Sequence, residues 1–181
     1  LLHQVPVYEG IPHSLSYGYV FWERLVKDAC KQEAPAPFIQ KLKKETATLK
    51  LKIPEDLPRG IIHGDLSPVN VIGRKGQVLA LLDFEEICVE SFVLDIAMTF
   101  VHFGWKDGLP VTELWDALLD GYQSVRHLTD AERAALPHLH RYSVLALAAW
   151  RYSEYVIKNP GTELTKRYIE MVDRLDKQLP F

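Results

Sequence analysis

The most informative part of this sequence is HGDLSPVN at residues 63–70, followed by DFEE at residues 83–86. Two short apolar runs, at residues 71–72 and 78–82, lie between these segments and are separated by the glycine-containing stretch GRKG. This pattern predicts a β-hairpin with its turn at the glycines. Because a hairpin brings its two ends together, we expect Asn70 and Asp83 to lie close in space.

The residue types at the two ends of this hairpin favour phosphoryl transfer. A carboxylate at Asp83 and an amide oxygen at Asn70 are oxygen ligands of the kind that Mg²⁺ takes. Asp65 precedes Asn70 by five residues and is expected near the metal without binding it. A carboxylate in that position can orient an attacking hydroxyl and accept its proton, while the metal bridges phosphate oxygens.

The spacing matches most of a known catalytic pattern. Protein kinases carry H-R-D-L-x-x-x-N followed by D-F-G, and six of those positions, three of them His63, Asp65 and Asn70, are matched here. Glycine replaces the Arg of the first motif, glutamate replaces the Gly of the second, and no A-P-E follows. Only eleven residues separate Asp83 from Asp95. That is too short for a long activation loop, so the pattern points away from protein substrates.

The strings IIHGDLSPVNVI, LLDFEE and VLDIAMTF resemble the core motifs of the aminoglycoside phosphotransferase and choline kinase-like superfamily. The resemblance implies an α+β, mainly α fold: a protein-kinase-like C-terminal helical lobe whose small β-hairpin carries the catalytic and metal-binding loops. It further implies transfer of phosphate from ATP, with Mg²⁺, to a small-molecule hydroxyl. By this resemblance Asp65 is the catalytic base, Asn70 and Asp83 are metal ligands, and His63 and Asp95 support the catalytic loop.

Within the superfamily, residues 118–161 resemble the helical part of type II homoserine kinases. That similarity implies L-homoserine as the phosphoryl acceptor. An amino-acid substrate needs a cation for its carboxylate, and Arg151 is our candidate because arginine binds carboxylates bidentately. Glu154, one turn onward, is a candidate for the same cavity or for the ammonium. Glu85 is a further candidate substrate-binding residue, although Glu85 and Glu86 also suit a solvated acidic pair.

Other functions remain open at this point. Choline, an aminoglycoside or methylthioribose are alternative kinase substrates, and a catalytically silent kinase-like binding module is a second class. The third class is a metal-dependent hydrolase that would use His63, Asp65, Asp83 and His102 as transition-metal ligands. The sequence has no HExxH spacing that would support it.

Outside the hairpin, apolar periodicity predicts a mostly helical chain. A Thr129-x-x-Glu132 capping box should begin one helix, Pro137 should break or kink it, and Asn159 should end it. Thr162 is predicted to cap a last helix with a stripe from Leu164 to Leu179. The remaining predicted helices cover residues 16–31, 37–52 and 92–103, and a stripe from Leu114 to Tyr122.

Composition narrows the class of protein further. The 181 residues carry 21 Lys and Arg against 24 Asp and Glu, a net charge of -3, which disfavours a general electrostatic hold on nucleic acid. No apolar run approaches the roughly 18 residues of a membrane helix. Two cysteines without metal-ligand spacing favour reduced thiols and a cytoplasmic location.

We interpret residues 1–181 as the substrate-binding and catalytic lobe of a small-molecule kinase. Such an enzyme also needs a Lys on an N-terminal β-lobe to hold the α- and β-phosphates. No strand with such a Lys precedes His63. We therefore expect the ATP-binding lobe to be absent from this chain, and the isolated 181 residues to have little or no kinase activity.

Overall fold

A computed structural model describes residues 2–30 and 36–181. Six α-helices dominate this part of the chain. Their bounds are Tyr19–Ala29 (α1), Pro37–Lys52 (α2), Phe92–Phe103 (α3), Thr112–Gln123 (α4), Asp130–Tyr152 (α5) and Arg167–Val172 (α6). The predicted helices over 37–52 and 92–103 are confirmed at both ends. The first helix is shorter than predicted, and the predicted end at Lys31 lies outside the described residues.

Six short strands form three separate two-stranded antiparallel sheets in the described chain. The strands are Arg59–Ile62 (β1), Val71–Arg74 (β2), Gln77–Leu81 (β3), Cys88–Ser91 (β4), Trp105–Lys106 (β5) and Leu109–Pro110 (β6). The pairs are β1 with β4, β2 with β3, and β5 with β6. The β2–β3 pair is the predicted hairpin. Its turn residues Lys75 and Gly76 both have positive φ, as a type I′ turn requires.

The sheet formed by β1 and β4 was not predicted. Its register pairs Arg59 with Ser91 and Ile62 with Cys88, so the segment before HGDLSPVN lies against the segment after DFEE. Ile61 and Ile62 are almost fully buried, which anchors the start of the loop in the core. This pairing joins residues about 30 positions apart and cannot be read from local periodicity.

The hydrophobic core is formed mainly by α3 and α5, which pack against each other. Val93, Ala97 and Phe100 of α3 and Ala146 and Ala149 of α5 are fully buried. Small alanine side chains allow the helix backbones to approach closely, and the larger residues fill the space around them. The core therefore holds α3, and with it Asp95, in a fixed position beneath the loops.

Helix α5 shows where local rules succeed and where packing overrides them. Its first residue follows the predicted Thr129–Glu132 capping box, in which both reciprocal hydrogen bonds are present. Pro137 was predicted to break or kink the helix, and it does not break it, because α5 continues from Asp130 to Tyr152 across this residue. Leu136 and Leu139 on either side are buried in the core, and this packing offsets the one backbone hydrogen bond that proline removes.

The C-terminal region departs from its prediction in two ways. Thr162 makes no side-chain capping hydrogen bond, and residues 163–166 form a 3₁₀ turn before the short helix α6. The single helix predicted through Leu179 is therefore wrong. Met171 and Leu175 still contact the core. Tyr168 and Leu179 of the predicted stripe are partly buried against it, whereas Leu164 is exposed.

We predict that Thr129→Ala lowers the free energy of unfolding by about 1 kcal/mol, the usual cost of an N-cap hydroxyl. The Thr129 hydroxyl accepts a hydrogen bond from the Glu132 backbone N–H at 3.2 Å, and alanine leaves that donor without its partner. Urea unfolding measures the change. Thr48→Ala is the matched control, since Thr48 is exposed within α2 and its loss should cost nothing. Equal effects of the two substitutions would contradict the capping role.

Candidate active site

The catalytic-loop candidate HGDLSPVN is attached to α3 through Asp95. The Asp95 carboxylate accepts hydrogen bonds from the backbone N–H of His63 at 3.1 Å and of Gly64 at 3.0 Å. The His3 imidazole bonds the same carboxylate at 3.0 Å. Asp95 is 7% exposed. A buried carboxylate with several N–H donors is well satisfied, so Asp95 ties the loop to the core.

Gly64 permits a close approach that no other residue allows. Its φ is +79°, and an added Cβ would lie 2.7 Å from the Glu86 carbonyl oxygen and 2.9 Å from Leu15 Cδ1. The Tyr17 hydroxyl donates a 2.6 Å hydrogen bond to the Gly64 carbonyl. Burial raises the pKa of Tyr17 well above its ordinary value, and Asp65 and Glu86 add to the shift. Tyr17 therefore stays neutral and remains a donor.

Gly64→Ala should lower the free energy of unfolding by about 2 kcal/mol or more, because it combines left-handed backbone strain with a steric clash. Thermal or urea unfolding measures the loss. Gly121→Ala is the matched control. Gly121 lies within α4 with open space around it, and alanine there should stabilise the helix by about 0.5–1 kcal/mol. A neutral effect of Gly64→Ala would contradict the close packing of the loop.

His63 connects the two loops that the hairpin joins. Its Nε2 lies 3.0 Å from the Leu82 carbonyl oxygen, and the Asp65 backbone N–H approaches its Nδ1 at 3.3 Å. Because a carbonyl only accepts, the proton belongs on Nε2 and Nδ1 is the acceptor. The ring also packs on Phe84, with centroids 4.8 Å apart. The geometry of this buried histidine suits a structural link between the loops.

Asp65 is positioned by its neighbours with its carboxylate still accessible. Asn70 Nδ2 donates to the Asp65 carbonyl at 2.9 Å and to Asp65 Oδ2 at 3.2 Å. His102 Nε2 lies 3.3 Å from Asp65 Oδ1. This contact is not aligned as a hydrogen bond, and His102 Nε2 has no hydrogen-bond partner. The Asp65 side chain is 32% exposed, as a base that meets a substrate must be.

The two proposed metal ligands lie at the base of the hairpin. The Leu82 backbone N–H donates to the Asn70 carbonyl at 2.8 Å, which continues the strand pairing up to the residue before Asp83. Asp83 is an exposed non-glycine residue with φ of 60°, and strained backbone of this kind clusters at functional sites. Since Asn70 uses its Nδ2 on Asp65, its Oδ1 is free of partners among the described residues. An amide oxygen and a carboxylate on adjoining loops fit Mg²⁺.

Asp65 opens into a cavity of about 410 Å³ that carries charges of both signs. Glu85 and Glu86 contribute acidic groups, whereas Arg151 and Arg167 contribute cationic groups. The remaining lining residues are mainly small polar, apolar and aromatic: Tyr17, Ser67, Pro68, Val69, His102, Leu147, Trp150 and Tyr155. A volume of this size suits a small polar ligand.

The structure brings Arg151 to this cavity but leaves Glu154 outside its lining. Arg151 donates from Nη1 to the Arg167 carbonyl at 2.9 Å and to Glu170 at 3.1 Å. Burial, followed by the charge of Arg167, lowers the pKa of Arg151. The Glu154 carboxylate instead accepts hydrogen bonds from Lys158 and Asn159. Residues 153–158 form a π-helical turn, so the α-helical spacing assumed in placing Glu154 does not apply.

The sequence alone did not decide whether Glu86 contacts substrate or only solvent, and it gave no sign of Arg167 as a cavity residue. Glu86 follows Glu85 directly, and only the three-dimensional turn shows that Glu86 is half-buried whereas Glu85 is exposed. Arg167 belongs to a region that periodicity assigned to a longer helix.

The transition-metal alternative gains no geometric support, because the described residues contain no group of three or more His, Cys, Asp or Glu side chains placed to hold a metal ion.

Comparison with known proteins decides the family. Residues 1–128 match the model of the phosphotransferase enzyme family. The chain belongs to this family. Its catalytic-loop and hairpin motifs lie within the matched residues, whereas Arg151 and Arg167 lie beyond them.

No helix in the described ranges 2–30 and 36–181 combines the length and apolarity needed to cross a bilayer.

Curated homoserine kinases are similar to this family member. The enzyme of Rhizobium rhizogenes is 35% identical over 147 residues, which cover 81% of this chain and 45% of that protein. The enzyme of Gluconobacter oxydans is 37% identical over 113 residues, or 62% of this chain and 35% of that protein. The chain thus spans less than half the length of these relatives.

Solved structures confirm the fold. Amicoumacin kinase hAmiN, solved with AMP-PNP, Ca²⁺ and Ami, superimposes with a TM-score of 0.68 at 16% identity. That match covers 99% of this chain and 56% of the kinase. The Plasmodium vivax ethanolamine kinase gives a TM-score of 0.62 at 18% identity, covering 96% and 55%. The α+β, mainly helical lobe of a protein-kinase-like enzyme is therefore the fold of this chain.

Proposed function

We propose that this chain is the substrate-binding and catalytic lobe of an ATP- and Mg²⁺-dependent kinase that phosphorylates a small-molecule hydroxyl. The observation that carries the proposal is the placement of Asp65. Its carboxylate is partly exposed and lines a cavity of about 410 Å³, and it accepts a hydrogen bond from Asn70 Nδ2. A carboxylate within reach of a substrate hydroxyl can orient it and accept its proton during transfer.

The chain's own residues divide the remaining work. Asp95 and His63 hold the loop so that the Asp65 carboxylate keeps one position, which lowers the entropic cost of reaction. Asn70 Oδ1 and Asp83 would hold Mg²⁺. When bound, Mg²⁺ neutralises charge on the phosphate oxygens. These two candidate ligands lie on the loops next to Asp65. The donor phosphate and the acceptor hydroxyl would therefore meet there.

L-Homoserine is the acceptor that best fits the cavity charges and the curated relatives. Homoserine carries a carboxylate, an ammonium and a primary hydroxyl, and the cavity offers Arg151 and Arg167 as cations. Arginine binds a carboxylate through paired hydrogen bonds. Choline lacks a carboxylate and would form no paired hydrogen bonds with these arginines, which favours an amino-acid alcohol.

A nucleotide-binding β-lobe would complete the enzyme. The described chain contains no strand with a phosphate-holding Lys before β1, and the curated relatives are about twice as long. We expect the 181 residues alone to show little ATP-dependent turnover. The proposed location is the cytoplasm, since Cys30 and Cys88 are both free thiols and reduced cysteines are usual there.

A substrate panel tests the proposal. The complete protein is incubated with ATP, Mg²⁺ and one acceptor at a time, and ADP release is measured. The acceptors are homoserine, choline, an aminoglycoside and methylthioribose. We expect homoserine to be phosphorylated fastest. Fast turnover of choline or a sugar without turnover of homoserine would overturn the substrate assignment. The absence of ATP-dependent turnover with every acceptor would overturn the proposed kinase function.

A further inference from the structure

Glu86 presents a buried, unpaired carboxylate oxygen beside the catalytic loop. Its Oε2 is inaccessible to solvent and has no hydrogen-bond partner. Its backbone carbonyl lies so close to Gly64 that an added Cβ would meet it at 2.7 Å, so the position of this residue follows that of the loop. Glu86 and Asp65 both line the cavity of about 410 Å³.

No protein group in the described chain neutralises this carboxylate. Glu86 takes part in no ion pair with a lysine, arginine or histidine of residues 2–30 and 36–181. The neighbouring Tyr17 hydroxyl is already used on the Gly64 carbonyl. Tyr17, Asp65 and Glu86 all line the same cavity. A buried carboxylate oxygen without a donor is costly, so a bound molecule is the natural source of the donor.

The cavity lining carries charges of both signs. Arg167 and Arg151 line the cavity together with the acidic residues. Among the described residues, Arg151 donates to protein acceptors only from Nη1. Its Nε and Nη2 remain available to an anionic ligand group. This cavity contains a carboxylate that lacks a hydrogen-bond donor and two guanidinium groups. It therefore complements a molecule that carries both an ammonium and a carboxylate.

We propose that Glu86 accepts hydrogen bonds from the ammonium group of the substrate and so determines specificity for amino-bearing alcohols. This inference rests on the proposed function and deepens it. Glu85, its exposed neighbour, would contribute little because water already solvates its carboxylate. His102, whose Nε2 also lacks a hydrogen-bond partner, lies 3.3 Å from the Asp65 carboxylate.

The test compares homoserine with 4-hydroxybutyrate, the same hydroxy acid without its amine, in the complete protein. We expect Glu86→Gln to raise KM for homoserine about 10- to 100-fold, the loss expected for one charge-assisted hydrogen bond. The value of kcat should change by less than about threefold. The kcat/KM for 4-hydroxybutyrate should stay unchanged, so the preference for the amine should collapse.

Matched variants separate this role from general effects on charge or folding. Glu9→Gln makes the same chemical change on an exposed residue outside the cavity lining and should preserve the preference. Glu86→Asp retains the charge and should keep part of the preference, which covers the case in which Glu86→Gln does not fold. If Glu85→Gln removes the preference and Glu86→Gln does not, the assignment to Glu86 is overturned. A raised KM for Mg²⁺–ATP alone would overturn it as well.

Calorimetric titration distinguishes failure of this inference from failure of the proposed function. If homoserine binds the wild type and Glu86→Gln weakens that binding about tenfold or more, the ammonium-binding role of Glu86 is supported even without turnover. If homoserine is turned over and Glu86→Gln keeps the preference for homoserine over 4-hydroxybutyrate, the proposed kinase function holds and the ammonium site is overturned. The absence of binding by homoserine and ethanolamine to the wild type overturns the ammonium site directly.

Discussion

Asp65→Asn in the complete protein is expected to reduce kcat by about 10²- to 10⁴-fold, the contribution usual for general acid–base catalysis. Asparagine keeps the shape of aspartate and can still accept the hydrogen bond from Asn70 Nδ2. It cannot take a proton from the substrate hydroxyl. We therefore expect KM for homoserine to change little, because the cavity and its charged residues remain.

The measurement for Asp65→Asn is steady-state ADP release, with circular dichroism to confirm an unchanged fold. Asp56→Asn provides the matched control, since Asp56 is exposed in the loop before β1 and should keep full activity. Turnover by Asp65→Asn within tenfold of the wild type would remove Asp65 as the base. A large rise in KM with unchanged kcat would assign Asp65 to substrate binding instead.

Asp95→Ala should lower the free energy of unfolding by about 2–5 kcal/mol and disable the catalytic loop. The substitution leaves the buried backbone N–H groups of His63 and Gly64 without their acceptor, and each unsatisfied donor costs about 1–3 kcal/mol. Domains of this size are typically stable by only about 5–15 kcal/mol. Urea unfolding gives the stability, and kcat reports the loss of loop geometry.

Asp95→Asn separates the two contributions of this residue. One carbonyl oxygen can still accept from one loop N–H, so the loss of stability should fall between wild type and Asp95→Ala. Asp116→Ala, an exposed change on α4, should lie within about 0.5 kcal/mol of wild type. If Asp95→Ala folded as stably as this control and retained its kcat, the loop would not depend on its attachment to α3.

Several elements could be predicted because their signals are local. Helices α2 and α3 begin and end where their apolar patterns predict, and the capping box at Thr129 starts α5 as expected. The β2–β3 hairpin followed from two apolar runs with a glycine between them. In each case neighbouring residues within one turn or one strand supply the information.

The errors arose where packing between distant segments overrides a local signal. Pro137 looks like a helix breaker, yet the buried residues around it keep α5 continuous. The β1–β4 sheet joins distant segments by backbone hydrogen bonds, which leave little trace in side-chain periodicity. Glu154 was placed by assuming 3.6 residues per turn, whereas the π-helical turn redirects it toward Lys158 and Asn159.

The order and spacing of His63, Asp65, Asn70, Asp83 and Asp95 were enough to indicate the family and to predict the chemistry. The first four belong to two loops joined by a local hairpin, and Asp95 follows in the next helix, α3. The charges that line the candidate substrate cavity were decided by tertiary structure alone. Helices α5 and α6, far along the chain from Asp65 and Glu86, bring Arg151 and Arg167 to the lining of the same cavity. Burial distinguishes Glu86 from Glu85, and burial depends on the packing of the whole chain.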